Sequence, residues 1–421
     1  MKCSVAFLLS FLLLALTGLA QDPNSQDAKE RKKAAEQLSK DGASALPTLS
    51  KLTTDVDLDV RREAVRSVVQ IGTTQSIDIL LNSLRDNDPE VQMLATDGLV
   101  NFYLPGYVEG GWMASFRNFQ RSIKGKFTDV NTAVIDPYIE VRPQVITEIG
   151  KLAYGGASIE SRANANRALG ILRAKAAVPD IVRAVRTVKE DSVLQEGLVA
   201  LQKIRDTSAA KDVAFLVRDP KKRVQIRAIE TMGVLAYQEA LPDIENVFRT
   251  TKDKEVRRQA LETMAMMPKE GNRDIFKMYL NEKDKELRAA AAEGLGRLGH
   301  SEDARLVESM YFAEKDRLPK LSQAFSLAKL GRTGLEAGNP LLVLIEGLDS
   351  SSFKDVSIPL LTELAREDSI RSQLNGYLVR GTKEQRIGLS QVLMRSGDEE
   401  SMRQLEIVSR DSDPQVAAEA L

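Results

Sequence analysis

One pattern of apolar and small residues returns along this chain at intervals of 31 or 32 residues, and it leaves little freedom in the choice of fold. The clearest copy starts at Val60: the small residue Ala64 follows one helical turn on, then apolar Val68 and Ile71, then Gly72. The same template fits Val91/Ala95/Leu99/Phe102, Val193/Gly197/Leu201/Ile204, Val224/Ala228/Met232/Leu235, Val256/Ala260/Met264/Met267 and Leu287/Ala291/Leu295/Leu298. Ser161 heads a weaker copy through Ala165, Leu169 and Leu172, and degenerate copies start near Glu30, Pro319, Phe353 and Gln385. The heads at 193, 224, 256 and 287 fall 31, 32 and 31 residues apart.

Spacings of four, four and three residues place these side chains on one stripe of an α-helix. Asp88-Pro89 and Asp413-Pro414 put an N-cap acceptor directly before proline at the first helical position, and Gly72 and Gly299 stand where a left-handed C-cap is wanted. A second helix then opens, often with proline again: Leu46-Pro47, Val178-Pro179 and Leu241-Pro242. A hairpin with one apolar side cannot bury it alone, whereas stacked copies can. The pattern therefore predicts an all-α, right-handed α-solenoid of about a dozen helical hairpins. The rhythm D-x-D-x-x-V-R-x-x-A, followed by A-V/L-P-D-I, resembles HEAT repeats of the short, phycobilisome-lyase-like bacterial type over roughly residues 28–102 and 139–421. That resemblance implies the solenoid and leaves function open, because such arrays serve as scaffolds, inhibitors, lyases and hydroxylases alike.

Residues 103–140 break the rhythm, which divides the chain into an array over 21–102, an aromatic-rich insertion, and an array over 141–421 whose last unit is incomplete. Nine of the chain's 21 aromatics lie between Phe102 and Tyr154. Trp112, Phe116, Phe119 and Ile123 share one face of an expected helix, and Arg117, Arg121 and Lys124 an adjacent one. Three readings fit: aromatic core, a partner site with Trp and Arg anchors, or a basic helix on an anionic membrane surface. Beyond it, Val141, Val145, Ile149 and Leu152 form one further stripe.

Chemistry is sparse. The chain has one cysteine and one histidine, which removes most metal sites, thiol nucleophiles and imidazole bases. HEAT-repeat hydroxylases resembling deoxyhypusine hydroxylase hold di-iron with several His-Glu pairs, and His300 is followed by Ser301, so no residue here inherits that role. Gly294, Gly296 and Gly299 spell G-x-G-x-x-G, but inside a helix and with no preceding strand, so they read as packing positions and a cap. The pairs Asp57/Asp59, Asp86/Asp88 and Asp411/Asp413 recur at template positions and read as caps. Arg61, Arg62, Arg257, Arg258 and Arg288 are expected to form ladders with acids on the solvated surface, and His300 to be a solvated turn residue. No cofactor or metal is expected.

Lys+Arg 59 against Asp+Glu 60 gives a net charge of −1, unlike the basic excess of a nucleic-acid binder. Met1-Lys2, the apolar run Val5 to Leu16 and the small residues up to Ala20 describe a secretory signal, cleaved before Gln21 with loss of Cys3. The expected protein is an exported bacterial scaffold, periplasmic or extracellular, that binds a protein or peptide without catalysis. Its expected contacts are Trp112, Phe116, Phe119, Arg117, Arg121 and Lys124. The alternatives are an accessory lyase-type enzyme and a peripheral membrane scaffold. The stub from Asp413 to Leu421 either frays or associates end to end.

Overall fold

A computed structural model describes residues 22–108 and 133–421, and the chain divides into two compact units, Met1–Phe215 and Leu216–Leu421. Among the described residues all regular structure is helical. In the first unit the hairpins are α1 (Ala28–Leu38) with α2 (Leu46–Leu52), α3 (Leu58–Ile71) with α4 (Ser76–Ser83), and α5 (Pro89–Tyr103) with α6 (Pro143–Gly155). They continue as α7 (Ile159–Ile171) with α8 (Val178–Thr187), then α9 (Asp191–Ile204) with the short α10 (Ala210–Val213). The second unit holds α11 (Lys222–Val234) with α12 (Leu241–Thr250), α13 (Lys254–Met266) with α14 (Arg273–Tyr279), and α15 (Lys285–Leu298) with α16 (Ala304–Ala313). There follow α17 (Arg317–Lys329) with α18 (Pro340–Glu346), α19 (Lys354–Leu364) with α20 (Asp368–Leu378), α21 (Lys383–Ser396) with α22 (Glu399–Val408), and α23 (Pro414–Glu419).

Within each unit the first helix of a hairpin stacks on the first helix of the next, and the second helices cover them from one side. The template stripe is the reason. Val60, Ala64 and Val68, and likewise Val224, Ala228 and Met232, have no accessible surface. Burying a Val, Leu or Met side chain contributes about 1.5–3 kcal/mol, so each repeat adds its own share of the core. Where first helices come closest, small residues face each other outside the four-four-three stripe. A Cβ on Gly170 would meet the Ala200 Cα at 2.7 Å, and one on Gly296 the Ser326 Cα at 2.7 Å. Gly72 and Gly299 take left-handed caps at φ 59 and 78, and Asp57, Asp88 and Asp413 are N-caps.

Two expectations need correction. Val141 precedes α6, which starts at Pro143, so the further stripe is shorter than its apolar spacing implied. The arginine ladders are not on the solvated surface: Arg61 and Asp86 pair at 2.7 Å with only 15% and 11% of their side chains exposed. Arg31–Asp55 (2.7 Å) and Arg288–Glu314 (2.8 Å) repeat that pair one residue after the head, with the acid two residues before the next N-cap. Arg62 and Arg258 reach the caps Asp88 and Asp284 at 2.8 and 2.7 Å. Arg257 instead donates to the Thr251 carbonyl. In Asp86/Asp88 and Asp411/Asp413 the first acid thus ties successive hairpins together while the second caps the helix; in Asp57/Asp59 the cap is Asp57, and Asp55 makes the tie.

The insertion lies between the two helices of one hairpin, α5 and α6. Stacking passes directly from α5 to α7, sealed by Gln92: its side chain donates to the Asp86 carbonyl at 2.7 Å and accepts from Ala157 N–H and the Ser161 hydroxyl at 2.9 and 2.5 Å. Tyr103 is buried and accepts the Arg142 N–H at 3.1 Å, so it belongs to the core of the array.

Candidate binding face

Several first helices carry a second, largely polar stripe beside the core stripe. On a template helix this outer stripe falls three, six and ten residues after the head, about a third of a turn around the helix from the core stripe. It carries Glu63 and Arg66 on α3, Asp97 and Asn101 on α5, Asn164 and Arg167 on α7, and Glu196 and Lys203 on α9. In the second unit it carries Arg227 and Glu230 on α11, Gln259 and Glu262 on α13, and Glu293 and Arg297 on α15. The core template hid these residues, because it records only what is apolar. Their signal was the sixth position after the head, charged at Arg66, Asp97, Arg167, Glu230, Glu262 and Glu293 but not at Val199.

In the first unit these groups form a partly buried network. Asn164 Nδ2 donates to Asp97 Oδ1 at 3.0 Å, and Arg167 Nη2 to Glu196 Oε1 at 2.6 Å. Glu196 is 7% exposed, and its Oε2 has no hydrogen-bond partner. Burial pushes the Asp97 carboxyl up to about 6, against the pull of Asn164 and Arg167. Burial also pushes the Lys203 ammonium down to about 8, with Glu196 opposing and Arg167 adding to the shift. The Tyr107 phenol is raised by burial and by Asp97, while its hydrogen bond with Arg167 opposes both.

The chain's own polypeptide lies across this network. Tyr107 reaches Arg167, and Val108 N–H donates to Asn101 Oδ1 at 2.9 Å. On the return, Lys203 Nζ donates to the Ala133 carbonyl at 3.1 Å, and Ile135 N–H donates to the Ile171 carbonyl at the end of α7 at 3.0 Å. Ile135 itself is buried. The residues expected to make partner contacts, Trp112, Phe116, Arg117, Phe119, Arg121 and Lys124, lie outside the described residues.

In the second unit the outer stripe borders a groove of about 290 Å³ across α11, α13 and α15, reaching Leu318 on α17. Ile226, Ala289, Ala290 and Leu318 supply its apolar surface, and Glu255, Arg258, Gln259, Glu262, Glu286 and Glu293 its polar lining. Most of the charges are paired: Arg258 with Glu286 (3.3 Å), Lys222 with Glu255 (2.9 Å), and Arg297 with Glu293 (3.1 Å). Arg297 also reaches Glu363 at 3.0 Å and the Ala265 carbonyl at 3.2 Å, and lies over the Phe325 ring. Glu262 has no ion-pair partner among the described residues. Glu262 is exposed to water at the groove's mouth, with the groove lining on its other side. Burial, then Glu293 and Glu230, push its carboxyl up to about 7 against the weaker pull of Arg297.

Other sequence features fall where packing needs them. Gly294 faces the Phe276 ring, Gly296 the backbone of α17, and Gly299 is the cap. His300 is 32% exposed, and its Nε2 lies 2.8 Å from Glu270 Oε2, so the turn residue has a partner in the preceding hairpin. Among the described residues no His, Cys, Asp and Glu group gathers as a metal site requires, and no helix is long and apolar enough to cross a membrane.

HEAT repeats match this chain over residues 15–100 and 213–296. Among solved structures it is similar to an engineered protein at 18% identity, covering 94% of this chain and 95% of that one with a TM-score of 0.39. It is similar to YibA of Escherichia coli at 15% identity, over 73% of this chain and 99% of that one, with a TM-score of 0.43. Human deoxyhypusine hydroxylase in complex with glycerol matches at 16% identity, over 59% and 93%, with a TM-score of 0.29. No curated protein matches the sequence. The stretches 15–100 and 213–296 thus match HEAT repeats, and among the described residues the fold is all-helical, as an α-solenoid requires.

Proposed function

We propose that this chain is a non-catalytic scaffold that binds a protein or peptide through the outer face of its first helices, and that it works after export from a bacterial cytoplasm. The observation that carries the binding reading is the chain's own segment on that face. A lysine ammonium holds a backbone carbonyl, a helix-end carbonyl takes a backbone amide, and Ile135 supplies a buried apolar anchor. Backbone contacts of that kind hold any extended chain, and side-chain pockets then select among sequences. The HEAT repeats matched over residues 15–100 and 213–296 are compatible with a scaffold and single out no particular chemistry.

An array of synthetic ten-residue peptides, probed with the whole protein, tests the binding reading. Gln259→Arg, which places a long side chain in the groove from a half-exposed position, is expected to abolish capture of the peptides bound there. Capture of no peptide, or only of peptides indifferent to that substitution, overturns the reading for this groove. Export is tested by the N-terminus of the protein recovered outside the cytoplasm. A start at Gln21 supports it, and an intact Met1 in a cytoplasmic protein overturns it.

A further inference from the structure

We infer that the groove across α11, α13, α15 and α17 takes a basic segment of a partner polypeptide, with one Lys or Arg side chain seated between Glu262 and Glu293. The inference rests on the binding reading above and names the chemistry of the partner.

Three observations lead to it independently. The first is the guest already present in the other unit: the same template positions there, six and ten residues after the head, hold two other stretches of this chain, at Tyr107 and at Ala133. The outer stripe therefore accepts polypeptide. The second is the shape of the groove, whose apolar walls at Ile226, Ala289, Ala290 and Leu318 suit the aliphatic stem of a long basic side chain. The third is charge. Four of the lining residues are glutamates and one is an arginine, and that arginine is held by Asp284 and Glu286.

Within the groove the glutamates are not equivalent. Glu255, Glu286 and Glu293 each have a cation from the chain itself. Glu230 pairs with Arg227 at 2.7 Å. Glu262 lies between the like charges of Glu230 and Glu293, which add to the effect of desolvation in raising its carboxyl. A cation brought in by a partner converts that repulsion into attraction, and Glu262 then releases its proton. Lysine or arginine supplies such a charge on a stem long enough to cross the apolar wall. An acidic or phosphorylated partner would add a further negative charge to the same place.

The test uses the whole protein and three fluorescein-labelled peptides: tetra-arginine, tetra-glutamate and a neutral apolar tetramer, read by anisotropy. Tetra-arginine is expected to bind, and Glu262→Lys to weaken it about tenfold or more, as reversal of a contacting charge in a confined site does. Its affinity is expected to rise between about pH 5.5 and pH 8, as Glu262 gives up its proton in the presence of the cation. Glu255, Arg258, Glu286, Glu293, Glu230 and Arg297 surround that carboxyl. Only Glu262 has a shift that places its titration in this window with no ion-pair partner among the described residues. Glu262→Gln is therefore expected to flatten the pH dependence. If the neutral peptide binds in a Gln259-dependent way and tetra-arginine does not, the basic-partner inference fails and the binding reading stands. If no peptide binds in a Gln259-dependent way, both fail. Binding of tetra-arginine unchanged by Glu262→Lys also overturns the inference.

Discussion

Arg167→Met is expected to destabilise the first unit by about 3–5 kcal/mol, read as a fall in the urea midpoint with an unchanged slope. The guanidinium is held at 2.6 Å from Glu196 Oε1 and also faces Tyr107 and Asp97. Burial works against its charge, yet Glu196, Tyr107 and Asp97 together raise its pKa above the ordinary value. Methionine fills much of the volume but leaves Glu196 buried, 7% exposed, with neither oxygen paired to Arg167 and Oε2 already without a partner. An isolated buried carboxylate is far more costly than a missing contact, so the loss exceeds what a surface ion pair of at most about 1 kcal/mol would give. Arg167→Met/Glu196→Gln is expected to recover a large part of that loss, since it removes the orphaned charge. A loss below about 1 kcal/mol in the single variant would show that water reaches Glu196 and that the network is a solvated surface.

Phe276→Ala is the second large effect, at about 3–5 kcal/mol for a fully buried phenylalanine. The ring fills the space left by Gly294, where an added Cβ would lie 2.6 Å from two ring carbons. Gly294→Ala alone is therefore also expected to cost about 1–3 kcal/mol, because a buried ring has nowhere to move. The two changes are expected to be non-additive. With the ring gone the new methyl has room, so the double variant loses less than the sum. Strict additivity in thermal or chemical unfolding would show that Gly294 is needed in this packing for some reason other than the ring's volume. The result bears on the G-x-G-x-x-G spelling: its first glycine makes room for an aromatic ring, and its second lets α15 and α17 touch backbone to backbone.

The hairpin architecture was legible because it is written locally. The heads Val60, Val224 and Val256, their small partners Ala64, Ala228 and Ala260, and the caps Asp57, Asp88 and Asp413 all act within one or two helical turns. The candidate face was not legible in the same way. Arg167 and Glu196 stand 29 residues apart, and Asn164 and Asp97 67 apart, so only stacking brings them together. A charge at the sixth template position looks the same in the sequence whether it meets water, as on a free helix, or a neighbouring repeat.

The doublets show the same division within a few residues. Asp57, Asp88 and Asp413 were identifiable as caps because a cap bonds to its own chain two or three residues on. Asp55, Asp86 and Asp411 were not identifiable as the anchors of Arg31, Arg61 and Arg386, since each of those partners lies in the previous hairpin. By itself, then, the sequence determined the repeated hairpins, several of their caps and the stripe that the first helices bury, because periodicity and capping are short-range physics. Tertiary structure decided which charges are paired, which are buried, and that Glu262 is left between two like charges, because those depend on how far one repeat stands from the next.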